Sequence, residues 1–205
     1  REEHIPTDIV PTVEEGACRI ADAIVSEIKA KEQLGKYCVL GLGTGQSLTP
    51  VYNELIQRFE KKEVSFKSVV VFNAYEYFPL AADNQHSAIN QLRERFLSHV
   101  DIPEQNIYTL DGSIAQESVQ QHCRLYEQRI QTFGGIDIML LGIGRLGNIA
   151  TNEPGSSLTS AARLILIDAT SREEMSMSFG SQESVPPCSI TLGIADILAA
   201  RKIFL

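Results

Sequence analysis

The 205-residue chain reads as an α/β protein built on a three-layer, Rossmann-like, doubly wound and mostly parallel sheet. Three observations predict this. Strand and helix patterns alternate along the chain. Two of the strands, Val69-Val70-Val71-Phe72 and Ile138-Met139-Leu140-Leu141, are continuously apolar, as strands covered by helices on both faces must be. A composition of 43% hydrophobic and 21% charged residues at this length supports a full core in one domain, taken here as 1–205.

The elements follow in order. Thr12-Val13-Glu14-Glu15 is a capping-box pattern, and Val13, Ala17, Ile20, Ala21, Ile24, Val25 and Ile28 recur at helical steps until Gly35 ends the run. A strand over Tyr37 to Leu42 empties into the loop Gly41 to Ser47, and a helix opens near Pro50 with Val51, Leu55, Ile56 and Phe59 inward. The unit then repeats: strand Ser68 to Phe72 with helix Ser87 to Val100, strand Ile107 to Leu110 with helix Gln116 to Phe133, and strand Asp137 to Leu141. In such sheets ligands bind beyond the carboxyl ends of the strands. The loops after Leu42, Phe72 and Leu141 are therefore expected to meet at one crevice.

Composition narrows the function classes. A net charge of -8 without a lysine or arginine cluster repels polyphosphate, so nucleic acid is not expected as a direct partner. No stretch approaches the roughly 18 to 20 apolar residues of a membrane span, and no basic-then-apolar leader is present. The four cysteines, Cys18, Cys38, Cys123 and Cys188, lie far apart without CxxC pairing, which fits buried reduced thiols better than disulfides or zinc. A cytoplasmic protein is expected. The chain opens on Arg1 and closes on the apolar Ile203-Phe204-Leu205, from which a longer polypeptide with a further domain beyond Leu205 is expected.

The candidate chemistry sits on the three loops. Gly41-Leu42-Gly43-Thr44-Gly45-Gln46-Ser47 either presents backbone N–H groups and two hydroxyls to a phosphate at a helix N-terminus, or is a glycine-rich turn without a ligand; the Walker lysine is missing. Asn73-Ala74-Tyr75-Glu76-Tyr77 brings an amide, a carboxylate and two phenols past a buried strand. Glu76 there suits either a base acting on a carbon beside a carbonyl or a solvated loop position. The run Gly135 to Ser157 carries Gly142, Gly144 and Gly147 and then Asn152-Glu153-Pro154, where Glu153 is either a general acid or base or a cap on backbone amides. Of the scattered histidines His4, His86, His99 and His122, only His86 lies near a candidate loop.

Taken together, these loops resemble the glucosamine-6-phosphate isomerase (deaminase) family, whose fold is shared with 6-phosphogluconolactonases. The likeness runs nearly end to end, through Gly43-Thr44-Gly45-Gln46-Ser47, His99-Val100-Asp101-Ile102-Pro103, Cys123-Arg124-Leu125-Tyr126-Glu127 and Asn152-Glu153-Pro154-Gly155-Ser156-Ser157-Leu158. The resemblance implies a glucosamine-6-phosphate isomerase type of domain that binds an amino-sugar phosphate, opens its ring and moves a proton between adjacent carbons before ammonia leaves, with no metal or organic cofactor. It assigns phosphate binding to Gly43, Thr44, Gly45, Gln46 and Ser47, with Asn73, Glu76, Asn148 and Glu153 facing the sugar and Gly144 bordering it. The family's phosphate-contacting arginine has no direct counterpart in Ser171-Arg172-Glu173-Glu174-Met175, where Arg172 is the residue that could reach the phosphate. Family members often assemble as oligomers, so the resemblance admits a homo-oligomer.

Three proton-handling positions differ from the family pattern. Tyr75 occupies the place of the proton-abstracting Asp, and Leu146-Gly147-Asn148 replaces Asp-Gly-His. A phenol of pKa about 10 is ionised in roughly one molecule in a thousand at neutral pH, Asn exchanges no proton, and Leu does neither. Each lost acid or base typically weakens catalysis by about 10²- to 10⁴-fold. The expectation is a retained phosphosugar site with weakened or altered catalysis, with Glu153, Glu76, Tyr75 and Asn148 as the remaining catalytic candidates. The alternatives are a noncatalytic sensing or scaffolding module, or an enzyme with a relay rebuilt from Glu76, Tyr75, His86 and Glu153.

Overall fold

The computed structural model describes residues 6–205, so Arg1 and His4 lie outside the described residues. Helix α1 (Val13–Gln33) starts at Thr12, whose hydroxyl accepts the Glu15 N–H at 3.1 Å. The Glu15 carboxylate pairs with Arg19 at 2.6 Å. Strand β1 (Cys38–Leu42) leads through a single 3-10 turn into α2 (Thr49–Glu60), which buries Val51, Tyr52 and Leu55. Strand β2 (Val69–Asn73) is separated by Ala74 alone from β3 (Tyr75–Phe78), where the sequence predicts a loop.

Helix α3 (Ala88–Arg95) is shorter than the predicted Ser87 to Val100, because Phe96 leaves helical geometry at φ -147°, ψ -58° and a 3-10 turn follows. Strand β4 (Ile107–Tyr108) is likewise clipped: the Leu110 N–H is taken by the Asn73 side chain at 2.8 Å. Helix α4 (Val119–Thr132) buries Val119, Cys123, Tyr126 and Ile130 at helical steps. Strand β5 (Ile138–Leu140), β6 (Arg163–Leu166), α5 (Ala169–Phe179), β7 (Cys188–Thr191), α6 (Ile194–Leu198) and β8 (Lys202–Phe204) complete the chain.

The central sheet runs β4-β2-β1-β5-β8 with every pairing parallel. One face packs Leu40, Leu42, Val69, Val71, Ile138 and Leu140 against α1, α2 and α3. The other packs Val39, Val70, Phe72, Met139 and Leu141 against α4 and α6. The α/β architecture with a mostly parallel sheet is thus as the sequence predicts. A second sheet, β3-β7-β6, is antiparallel and is an addition to that prediction.

Two polar features fix the frame. The Asp137 side chain, 1% exposed, accepts from Lys31 Nζ at 2.5 Å, Arg201 Nη1 at 2.8 Å and the Val39 N–H at 2.9 Å, tying α1, β1 and the approach to β8 to the start of β5. The register pairs Leu42 with both Asn73 and Leu140, so β1, β2 and β5 end level at one edge. All four cysteines are free; Cys38 and Cys123 are buried as expected, whereas Cys18 and Cys188 are half-buried. Among the described residues, no helix is long and apolar enough to cross a membrane.

Candidate functional site

The level strand ends bring the glycine loops together. A chamber of about 240 Å³ lies between the Gly43–Ser47 loop, Tyr75 and the segment Leu141 to Gly144. A second, of about 260 Å³, shares Gly144 and Ala150 with it and is lined by Arg145, Asn148, Glu153, Ser171 and Glu174. Gly142 permits the close approach of the two loops: a Cβ there would sit 2.9 Å from the Ser47 hydroxyl. Gly147 takes φ +89°, which turns the chain back so that Asn148 returns beside Gly144.

The first chamber is bound from behind. The Gly43 carbonyl accepts the Tyr52 hydroxyl at 2.5 Å, and the Thr44 carbonyl accepts Arg95 Nη1. The Thr44 and Tyr75 hydroxyls share a hydrogen bond of 2.6 Å. Burial pushes the Tyr75 phenol above its ordinary value, against the pull of Thr44 and Arg95. That weakens it further as a base. Among the described residues, neither lysine nor arginine lines this chamber.

In the second chamber Glu153 accepts three donors: the Asn148 side-chain amide, the Ser171 hydroxyl at 3.2 Å and the Asp168 N–H at 3.2 Å. The Asn148 amide is a donor that cannot hand over its proton, so it orients the carboxylate without relaying charge. Leu146, 40% exposed, lines neither chamber, whereas its neighbour Arg145 borders the second and pairs with Glu174 at 3.7 Å.

Three sequence-assigned residues are put to other uses. Glu76 does not face the crevice: its carboxylate accepts the N–H groups of Tyr77, Ala88 and Ile89 at 2.9, 2.8 and 3.0 Å and the Ser87 hydroxyl at 2.8 Å. It caps the N-terminus of α3 from a neighbouring strand. Burial raises its pKa even though all four partners are donors. Asn73, 1% exposed, is spent on the Tyr75 carbonyl, the Leu110 N–H and the Tyr126 hydroxyl. Arg172 donates to the carbonyls of Gln182 and Val185 at 3.1 and 3.3 Å, clasping the segment after α5, while its buried Nε has no partner among the described residues.

His86 stacks on Phe179 at 4.3 Å in a separate hollow lined by Leu80, Asn84 and Gln85, outside both chambers. His122 accepts the Asp111 N–H at 3.0 Å, burial lowers its pKa, and His99 bonds the Glu94 carbonyl at 2.9 Å. Neither lines either chamber. Among the described residues, no set of three His, Cys, Asp or Glu side chains converges in the manner of a metal site. Sequence reasoning missed Arg95 and Ser171. Ser171 had a signal, lying in the first turn of a helix capped by Asp168, but Arg95 had none to separate it from Arg93.

Comparison with known proteins fits this geometry. Residues 11–205 match the family model described as glucosamine-6-phosphate isomerases/6-phosphogluconolactonase. A Bacteroides thetaiotaomicron relative, called a putative glucosamine-6-phosphate deaminase-like protein, is 55% identical over 205 residues; the match covers 100% of this chain and 31% of that relative. The chain thus spans about a third of that protein. A glucosamine-6-phosphate deaminase from Geobacillus sp. (strain WCH70) is 36% identical over 94% of this chain and 74% of its own length. Among solved structures, a monomeric glucosamine-6-phosphate deaminase superposes with a TM-score of 0.87 at 33% identity, covering 94% of this chain and 77% of that one. The 6-phosphogluconolactonase of Trypanosoma brucei, at 19% identity over 96% of this chain and 79% of its own, shares the fold with a TM-score of 0.74.

Proposed function

The chain belongs to the glucosamine-6-phosphate isomerase/6-phosphogluconolactonase family, and from that premise we propose that it is a sugar-phosphate-binding domain whose isomerase or deaminase chemistry is weakened or altered. One observation carries the proposal. The glycine loop and the Glu153 corner border ligand-sized chambers lined by Tyr75 and Asn148, while Tyr75, Leu146 and Asn148 stand where the family pattern has proton-carrying groups. Tyr75 is a phenol whose pKa is raised by burial and whose hydroxyl is engaged with Thr44. Asn148 holds Glu153 by an amide. A neutral phenol and an amide orient a sugar but do not carry its proton.

A relay rebuilt from Glu76, Tyr75, His86 and Glu153 is the less favoured reading. Glu76 is engaged by four donors at the start of α3, and His86 packs in another hollow. Within the proposal, residues 1–205 form one unit acting in the cytoplasm without metal or organic cofactor, on a sugar phosphate. Glu153 is its best remaining acid or base.

The test is binding set against turnover. Glucosamine 6-phosphate is expected to raise the melting temperature, while ammonia and fructose 6-phosphate stay at background. Turnover abolished by Glu153→Gln would instead establish an enzyme, and a panel of sugar phosphates that all fail to shift stability would leave a scaffolding module. Restoring Tyr75→Asp, Leu146→Asp and Asn148→His together is expected to give measurable deaminase activity.

A further inference from the structure

The first chamber has an unusual electrostatic problem for a phosphate site, since none of its lining residues among those described is a cation. Among the described residues, the only guanidinium bonded to its loop is Arg95, which reaches the Thr44 carbonyl from the last turn of α3. Among the described residues it pairs with no carboxylate, whereas Arg93, two positions earlier, is bonded to Glu104. Arg172 is occupied by the carbonyls of Gln182 and Val185.

The placement of Arg95 is built in from both ends of α3. Glu76 caps the start of the helix. At its finish Phe96 stacks on Tyr52 with ring centroids 5.1 Å apart, and the Tyr52 hydroxyl holds the Gly43 carbonyl. Tyr52 and Arg95 thereby draw two consecutive carbonyls to the back of the loop. In a trans peptide the following N–H points the opposite way from the carbonyl. The N–H groups of Thr44 and Gly45 are therefore turned away from Tyr52 and Arg95, and neither has a backbone acceptor among the described residues.

We infer that Arg95 is a positioning residue for the anionic end of the ligand: through the Thr44 carbonyl it aims the loop's N–H groups, and it lends the chamber its positive charge. The inference rests on the phosphosugar reading above. Because Arg95 acts through the loop, it is not a catalytic residue. Its charge should distinguish a dianion from a monoanion of similar shape, since Coulomb energy scales with the ligand's charge.

Isothermal titration of the wild-type chain, Arg95→Met and Arg95→Lys with glucosamine 6-phosphate and glucosamine 6-sulfate at pH 7.5 tests this. Arg95→Met is expected to weaken the phosphate by about ten-fold and the sulfate by about three-fold, the square root of that factor. Arg95→Lys keeps the charge and is expected to keep most of the preference for phosphate. Equal losses for both ligands in Arg95→Met would show that Arg95 lends the chamber no charge and overturn the inference, as would binding within two-fold of wild type. Should Arg95→Met fail to fold, loss of the phosphate preference in Arg95→Lys overturns it equally. A wild-type chain that binds neither ligand overturns the phosphosugar reading and this inference with it, whereas wild-type binding unaffected by Arg95→Met overturns this inference alone.

Discussion

Asp196 offers a quantitative test of the frame behind the site. It sits in the first turn of α6, accepts the Gly193 N–H at 2.8 Å, and lies beside Glu127, which accepts the Ala162 N–H at 2.8 Å. Burial and the neighbouring Glu127 charge raise its pKa from 3.8 to about 6. A carboxyl raised in the folded state holds its proton more tightly there than in the unfolded chain, so its contribution favours folding below about pH 4. That advantage is lost as pH climbs through about 6 and stays lost above it. At full burial the difference corresponds to about 3 kcal/mol. Asp196 keeps partial contact with water, which reduces this to about 1–2 kcal/mol.

Asp196→Asn removes the charge but keeps an oxygen for Gly193 and gains an amide that can donate to Glu127. Loss of a negative charge at a short helix start returns about 0.3–1 kcal/mol. The net expectation at pH 7.5 is a gain of about 1 kcal/mol, or roughly 2–4 °C in Tm for a chain of this size. Near pH 4 the gain should vanish. Thermal unfolding of both chains from pH 4 to 8 decides the matter: a variant that is less stable at pH 7.5, or whose Tm difference is the same at both ends of the range, would refute the assignment of a raised carboxyl at this position.

Two further changes probe the architecture. Glu76→Gln leaves one oxygen where two serve four donors, and is expected to lower stability by about 2–4 kcal/mol in urea unfolding; a variant of wild-type stability that loses only activity would make Glu76 a catalytic group after all. Asp137→Ala strips Lys31 and Arg201 of their shared buried partner and should cost about 3–5 kcal/mol, read as a fall in the denaturation midpoint. A loss under 1 kcal/mol would mean that water replaces the carboxylate there.

What the sequence reveals and what it hides have physical reasons. The strands Val69 to Phe72 and Ile138 to Leu141 are legible because both faces are covered, so every position is apolar. β3, with Tyr-Glu-Tyr-Phe, is not legible, because its partner β7 lies more than a hundred residues on and Glu76 serves a helix that its own strand cannot announce. Helix α5 buries only Ser171 and so presents no apolar stripe to read. Within the site, Thr44 and Glu153 stand out by their glycine and proline neighbours. The structural engagements of Asn73 and Glu76 are not legible, because a polar residue after a buried strand looks the same whether it meets a ligand or caps a distant amide. Arg93 and Arg95 share one helical turn, and only the fold sends one to Glu104 and the other to the Thr44 carbonyl.

The small antiparallel ladder has a mechanical consequence. Thr191 is flanked by Tyr75 on one side and Arg163 on the other, so β7 links the strand that carries the wall of one chamber to the strand that follows the corner holding Glu153. Spreading the two walls apart means unzipping paired strands, which sets the gap between them as a fixed gauge. On the phosphosugar reading proposed above, a guest molecule would have to match that span, since the host is braced against stretching to meet it.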